Sequence, residues 1–204
     1  MSTSDTTWVE ETFTAEDWYG RDLSGESFEG CTFREVDFTE AVSTGARFES
    51  CIFANCRLNA STHTNSSFVA SEFRRTSLFG ATLDGCKMTG AVFVDCKLRP
   101  MTVRGGLWRA VSLRGADLRE LHLAELPLQE ADLAEADVSG ASLRGCDLSG
   151  STVRGATLHG TDLRGATLTG VDLHLARLHE TTLDLAGAVV LAEGYGAMIS
   201  TSGD

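Results

Sequence analysis

Every fifth residue from Phe13 to Leu183 is a position of one kind: of these 35 positions, 33 carry a large apolar side chain, and only Ser43 and His63 do not. Apolar residues make up 42 % of the chain, so an unpatterned sequence would place about 15 of them there. The remaining phases are as regular. Two residues before each centre the side chain is small, as at Cys31, Ala41, Ala46, Cys51, Cys56 and Ser61. The residue just before the centre favours Asp, Ser and Thr, as in Ala116-Asp117-Leu118 and Ala131-Asp132-Leu133. Two residues after it, one phase collects 16 of the 21 glycines. A period of five is neither the 3.6 of a helix nor the 2 of a strand, which excludes a bundle of amphipathic helices and an ordinary sheet alike.

A five-residue unit that turns one small and one large side chain inward and then bends describes one side of a square. Four such units close a coil of 20 residues, and successive coils stack as parallel strands about 4.8 Å apart. The register is unbroken from 13 to 183, which leaves no place for an inserted loop and gives about 8.75 coils, a rod on the order of 42 Å long. The chain therefore divides into a lead-in and cap at 1–12, the coil at 13–183 and a terminal segment at 184–204.

The units Gly140-Ala-Ser-Leu-Arg-Gly145 and Gly160-Thr-Asp-Leu-Arg-Gly165 resemble those of the pentapeptide-repeat family, and the likeness extends over roughly residues 10–185. The resemblance implies an all-β fold, a right-handed quadrilateral parallel β-helix with 20 residues per coil. In such a coil, residues 20 apart share a column, and the exceptions can be checked against that rule. Ser43 and His63 are one coil apart, so each is the expected hydrogen-bond partner of the other inside an apolar core. A histidine so placed is either poised for chemistry or a satisfied core residue, and the shared column favours the second. Phe33, Phe53, Phe73 and Phe93 fall in one column and Phe28, Phe48 and Phe68 in another. The N-terminal half is thus a phenylalanine ladder that gives way to leucine from Leu113. All six cysteines, at 31, 51, 56, 86, 96 and 146, take the small inward phase. They read as small hydrophobes rather than metal ligands or disulfides. Between residues 99 and 128, Met101, Leu121 and Leu126 replace small inward residues, and Pro100 and Pro127 stand at outward phases. This reads as a local change of turn type or coil width.

The formal net charge of −12 argues against a protein that holds nucleic acid by its phosphates. It fits a solvating surface or a basic partner. Residues 1–50 hold 12 acids and 3 bases, whereas residues 51–100 hold 3 and 6. Arg99, Arg104, Arg109, Arg114 and Arg119 encircle one coil, and Glu120, Glu125, Glu130 and Glu135 follow them. No apolar run approaches the ~20 residues of a membrane span. The start, Met1-Ser-Thr-Ser-Asp-Thr-Thr, has neither the basic nor the apolar region of a secretory signal. The expectation is a cytoplasmic protein with reduced thiols, no cofactor, no nucleic acid and no membrane contact. With no nucleophile motif or phosphate loop outside the repeat, no enzymatic activity is expected.

After Leu183 the repeat stops. Asp184 can cap, and Gly194 can terminate, a short apolar α-helix. An open coil end exposes strand edges and core, which a two-fold dimer through this end would cover. The expected interface comprises Leu185, Ala188, Val189, Val190, Leu191, Ala192, Tyr195 and Met198. Within the family, three features resemble the MfpA-type branch of gyrase-interacting fluoroquinolone-resistance proteins rather than the loop-bearing Qnr group. They are the uninterrupted repeat, the irregular point at Arg99-Pro100 and the apolar segment after Asp184. That resemblance implies a rod-shaped homodimer that imitates duplex DNA on DNA gyrase, inhibiting the enzyme or relieving drug-trapped cleavage complexes. Its acidic surface would comprise Asp117, Asp132, Asp137, Asp147, Asp162, Asp172 and Glu180. The alternative is a structural scaffold with another protein partner, because the fold alone implies no function.

Overall fold

The structure, a computed structural model, describes residues 6–200; the first five residues of the lead-in and the last four of the tail lie outside it. The chain winds as a four-sided parallel β-helix, and every strand partner lies 20 residues along, as in Phe13 with Phe33, Ser43 with His63 and Leu83 with Val103. The first side carries the strands Val42–Thr44, Thr62–Thr64, Thr82–Asp84 and Thr102–Arg104. The second carries Thr7–Val9, Ser27–Glu29 and Arg47–Glu49. The third carries Thr12–Thr14, Thr32–Arg34, Ile52–Ala54, Glu72–Arg74 and Val92–Val94. The fourth is held by single bridges such as Asp17 to Asp37 and Asp37 to Arg57. Past Arg104 all four sides continue only as single bridges, still 20 residues apart, up to Asp162 with Thr182. Winding is already under way at Thr7–Val9, which pairs with Ser27–Glu29.

Two kinds of unit build the coil. In a turn unit the carbonyl of the inward centre accepts the N–H three residues on, as Phe38 does from Ala41 at 2.9 Å. In a strand unit that local bond is missing, and the carbonyl is left for the coil above. There it meets the small inward residue 23 positions later: Cys51 Sγ donates to the Phe28 carbonyl at 3.3 Å and Ser71 Oγ to that of Phe48 at 2.6 Å. Thr76 Oγ1 donates to the Phe53 carbonyl at 3.0 Å and Cys86 Sγ to that of His63 at 3.2 Å. Alanine, by contrast, stands mostly over turn units, as Ala41 does over Trp18 and Ala91 over Phe68, although Ala116 at the irregular stretch stands over the strand unit of Phe93. The cysteines are therefore more than small hydrophobes; each thiol is also a weak donor to the coil beneath. None is in a disulfide, and burial pushes the Cys51 thiol up to about 12 and that of Cys56 to about 11.

The corners fall on the residues whose numbers are multiples of five, where the backbone is left-handed. Among the described residues, seventeen that are not glycine take positive φ there, including Glu120 at 61° and Glu125 at 62°. Each costs about 1–2 kcal/mol relative to glycine. Inside, the phenylalanine columns stack at the coil spacing: ring centroids are 4.8 Å apart from Phe33 to Phe53 and 4.7 Å from Phe53 to Phe73. Ser43 and His63 meet as expected, with Ser43 Oγ 2.7 Å from His63 Nδ1. Ser61 donates to the Leu58 carbonyl and lies 3.1 Å from His63 Nε2. It must therefore accept the Nε2 proton, which leaves Nδ1 to accept from Ser43. Ser66 Oγ closes the chain 2.8 Å from Ser43. Burial holds the neutral imidazole's pKa down at about 4.

The irregular stretch is a seam. No backbone hydrogen bond joins residues 96–109 to residues 116–128, on the fourth, first and most of the second side. Bonding resumes where Ala110 N–H donates to Gln129 O, and it is complete on the third side, where Ser112 bridges to Asp132. Pro100 and Pro127 have no N–H to offer. Met101, Leu121 and Leu126 are buried between the coils, in positions that alanine, serine or cysteine fill elsewhere. Leu126 covers Gly106, where any Cβ would collide with the Cys86 carbonyl.

Candidate functional site

The rod ends differently at its two termini. In the first coil, the small inward phase is occupied by Glu11, Glu16, Arg21 and Glu26. Glu16 accepts from Trp18 Nε1 at 2.7 Å, and Glu26 accepts from Trp8 Nε1 and from Arg21, the latter at 3.0 Å. Arg21 also lies 4.1 Å over the Trp18 ring. Inward-pointing charges of this kind close an edge against further stacking.

At the other end, helix α1 (Leu185–Gly194) is held by Asp184, whose carboxylate accepts from Gly187 N at 2.9 Å and from Gly165 N at 2.7 Å. These two bonds hold the Asp184 carboxyl below the usual carboxylate range. One stripe of the helix faces the rod. Gly187 is buried against Leu168 and Leu183, Gly194 sits on the His174 ring, and Val190 and Leu191 pack on the core. Val190 and Leu191, expected at a dimer interface, thus serve their own rod. The opposite stripe follows from the helical period: Leu185, Ala188, Val189 and Ala192. Leu185 is 81 % exposed, and beyond the helix Tyr195 and Met198 are 73 % and 97 % exposed. Leu185 and Ala188 are exposed and Val189 and Ala192 half-buried, and the exposed Glu193 borders this apolar stripe.

The acidic residues singled out from sequence do not form one surface. Asp117 and Asp137 lie on the fourth side, Asp132 and Asp172 on the third, Asp147 on the second and Asp162 on the first. Most are engaged locally. Asp132, Asp137 and Asp147 each accept from the backbone N–H two residues on, at 2.9 to 3.0 Å. Such Asx turns are the first reason for Asp at this phase. Asp117 pairs with Arg119 at 2.8 Å and with Arg99 at 3.4 Å. Asp162 pairs with Arg164 at 2.6 Å and with Arg144 at 3.4 Å. Their guanidinium partners hold both carboxyls well below the usual range. Glu180 is exposed beside His179, and Asp172 caps the short 3-10 turn Leu173–Leu175 without a side-chain bond. The rings of opposite charge neutralise each other: Arg99 pairs with Glu120, Arg109 with Glu130 and Arg114 with Glu135. Among the described residues, carboxylates without an ion pair gather instead in the first coils, at Glu10, Glu11, Glu16, Asp17, Asp22, Glu29, Glu35, Glu40 and Glu49. Among the described residues no group of His, Cys, Asp and Glu is arranged to hold a metal ion, and no helix is long and apolar enough to cross a membrane.

The sequence matches the family described as pentapeptide repeats, in 8 copies, over residues 64–95, 112–150 and 146–184. The chain belongs to the pentapeptide-repeat family. Among solved structures, it is similar to a trypsin-treated variant of QnrB1, a plasmid-mediated fluoroquinolone resistance protein, with TM-score 0.61 and 23 % identity over 96 % of this chain and 98 % of that one. It also aligns with HetL, a pentapeptide repeat protein involved in heterocyst differentiation regulation from the cyanobacterium Nostoc sp. strain PCC 7120. That match has 25 % identity over 88 % of this chain and 90 % of that one, with TM-score 0.34. No curated protein matches the sequence.

Proposed function

We propose that the chain is a non-enzymatic, DNA-mimicking inhibitor or protector of DNA gyrase that works in the cytoplasm as a two-fold dimer joined through α1. The observation that carries this reading is the apolar stripe Leu185, Ala188, Val189 and Ala192, turned away from its own rod at one end while charged side chains close the other. A symmetric pairing of that stripe buries it in a closed dimer and doubles the rod to on the order of 85 Å. The net charge of −12 then suits a basic groove that otherwise holds duplex DNA. In this arrangement the unpaired carboxylates of the first coils lie at the far ends of the dimer, and the remaining contacts come from Asp132, Asp147, Asp172 and Glu180. A scaffold with another protein partner is the second reading. It is favoured by the spread of the acids over four sides and by their ion pairing.

A gyrase supercoiling assay with and without a fluoroquinolone separates the two. The dimer is tested with Val189→Asp, which places a charge in the mated stripe and should give a monomer that retains its β circular dichroism but neither inhibits nor protects. Wild-type protein without effect on gyrase at micromolar concentration would hand the function to the scaffold reading.

A further inference from the structure

We infer that the rod is two stiff segments joined by a hinge at the seam, with the arginine and glutamate rings as a salt-sensitive clasp across it. The backbone ladder is what makes a β-helix rigid, and here it is absent on nearly three of four sides. What remains is the third side, where residues 110–115 bond to residues 129–134 and where the chain itself passes from one coil to the next. An opening closed along one line and free along the others flexes about that line.

The side chains that bridge the opening suit movement better than a ladder does. Met101 and Leu121 are flexible or rounded apolar groups with no directional bond, and both are buried, at 8 % and 6 % exposure. On the fourth side, toward its corner with the first side that lies opposite the hinge, Arg99 reaches across to Asp117 at 3.4 Å and to Glu120 at 3.3 Å. Nearer the hinge line, Arg109 meets Glu130 and Arg114 meets Glu135. The corresponding pair on the first side is open: Arg104 turns down to Asp84, 4.0 Å away, and Glu125 has no ion-pair partner. On the second side the mouth of the seam is a surface cleft of about 460 Å³ lined by Thr89, Leu107, Arg109, Pro127, Gln129 and Glu130. Leu107 is 50 % exposed there. Surface ion pairs are weak singly and screened by salt, so the clasp loosens where a ladder would not.

Distances between spin labels test this independently of any gyrase activity. Val9→Cys with Thr89→Cys and Thr89→Cys with Thr169→Cys both span four coils on the second side, about 19 Å. Only the latter pair crosses the seam. Labelled protein is diluted into unlabelled protein to suppress distances between protomers, and the unsubstituted chain serves as the labelling blank. The cross-seam distribution should be broader than its control, and 1 M salt or the double variant Glu120→Gln/Glu130→Gln should widen it about twofold further. A cross-seam pair as narrow as the control, or a control that broadens equally, overturns the hinge. A broad cross-seam pair indifferent to both salt and the glutamates overturns the clasp.

Discussion

The two halves of the rod follow one five-residue rule and fill it with different chemistry. Up to Arg104 the coil is held by strand units, phenylalanine columns and inward thiols and hydroxyls that reach the carbonyls below. After the seam it is held by turn units, leucine columns and corners that are glycine from Gly140 to Gly170. In the second half, each centre's carbonyl closes on its own chain, so the unit is nearly self-sufficient and a leucine above an alanine completes it. In the first half it depends on a partner one coil away. The repeat dictates the path of the chain, and the inward residues decide how much of the stability is local. Because each coil touches only its neighbours, stability adds coil by coil, and the halves can be challenged separately.

The largest difference should appear in the aromatic columns. Phe53 is stacked between Phe33 and Phe73 and meets Phe38, Phe48 and Phe68 at an angle, so Phe53→Ala removes volume and five ring contacts at once, a loss of about 4 kcal/mol. Leu148→Ala in the second half should cost about 3 kcal/mol. Denaturant titration of both variants gives the comparison, and equal losses would mean that ring stacking adds nothing. The seam sharpens the expectation, since Phe53→Ala should split unfolding into two steps, the first half melting before the second.

Next in size is a pH effect confined to the first half. The His63 pKa is about 4 in the folded chain, against about 6.5 unfolded. Below pH 6.5 the unfolded chain takes up a proton that the folded chain refuses, so stability falls as pH drops from 6.5 to about 4. The contribution then levels off. Its full extent is on the order of 3 kcal/mol. Asp117 and Asp162, held low by arginines, act at lower pH. In His63→Leu, Ser61 keeps the Leu58 carbonyl and Ser43 keeps Ser66, so the fold should survive at neutral pH while the stability loss between pH 6.5 and 5 disappears. An unchanged pH profile would place the titration elsewhere.

A smaller effect probes the donor rule directly. The Phe48 carbonyl receives Ser71 Oγ at 2.6 Å and no backbone N–H. The Leu128 carbonyl receives both Ser151 Oγ at 2.7 Å and Ala131 N–H at 3.1 Å. Ser71→Ala should therefore cost about 1–3 kcal/mol, the penalty of a buried acceptor left bare. Ser151→Ala should cost no more than about 1 kcal/mol. Paired denaturation midpoints decide it; equal shifts would break the distinction between strand and turn units.

This rule also marks where the sequence was readable and where it was not. The period of five gave the coil, its register and the Ser43–His63 contact, because all three depend only on spacing. Unit type is not legible from residue type alone: in the first half Cys51, Ser71 and Thr76 each stand 23 residues after a strand unit, whereas Ser61, Cys146, Ser151 and Thr161 stand 23 residues after turn units. The offset itself is invisible until the coil's rise is known. The acidic surface that the family resemblance implies draws on Asp in the phase before each centre, yet a short carboxylate there first satisfies its own turn. The arginine and glutamate rings were visible as rings, but an offset of 21 residues, one coil plus one step around the corner, is what pairs them. Likewise, an apolar helix by itself does not say which stripe faces home; Leu168, Leu183 and His174 decide that for α1.

The smallest effect lies at the corners, where the halves meet. Glu125 holds a left-handed backbone at φ 62° and, unlike its three companions in the ring, has no ion pair. Glu125→Gly removes the strain of a Cβ at positive φ and should stabilise the rod by about 1 kcal/mol. Glycine gives part of this back through the greater freedom of its unfolded chain. At Glu130, with φ 61°, the same change also breaks the pair with Arg109, itself worth about 0.2–1 kcal/mol when exposed. The two variants should therefore differ in sign or nearly so: Glu125→Gly raises the denaturation midpoint, and Glu130→Gly leaves it level or lowers it. In 1 M salt, where the Arg109 pair is screened, the difference should vanish. Were both variants to stabilise the rod equally at low salt, the glutamate ring would be bearing corner strain without any return from the clasp.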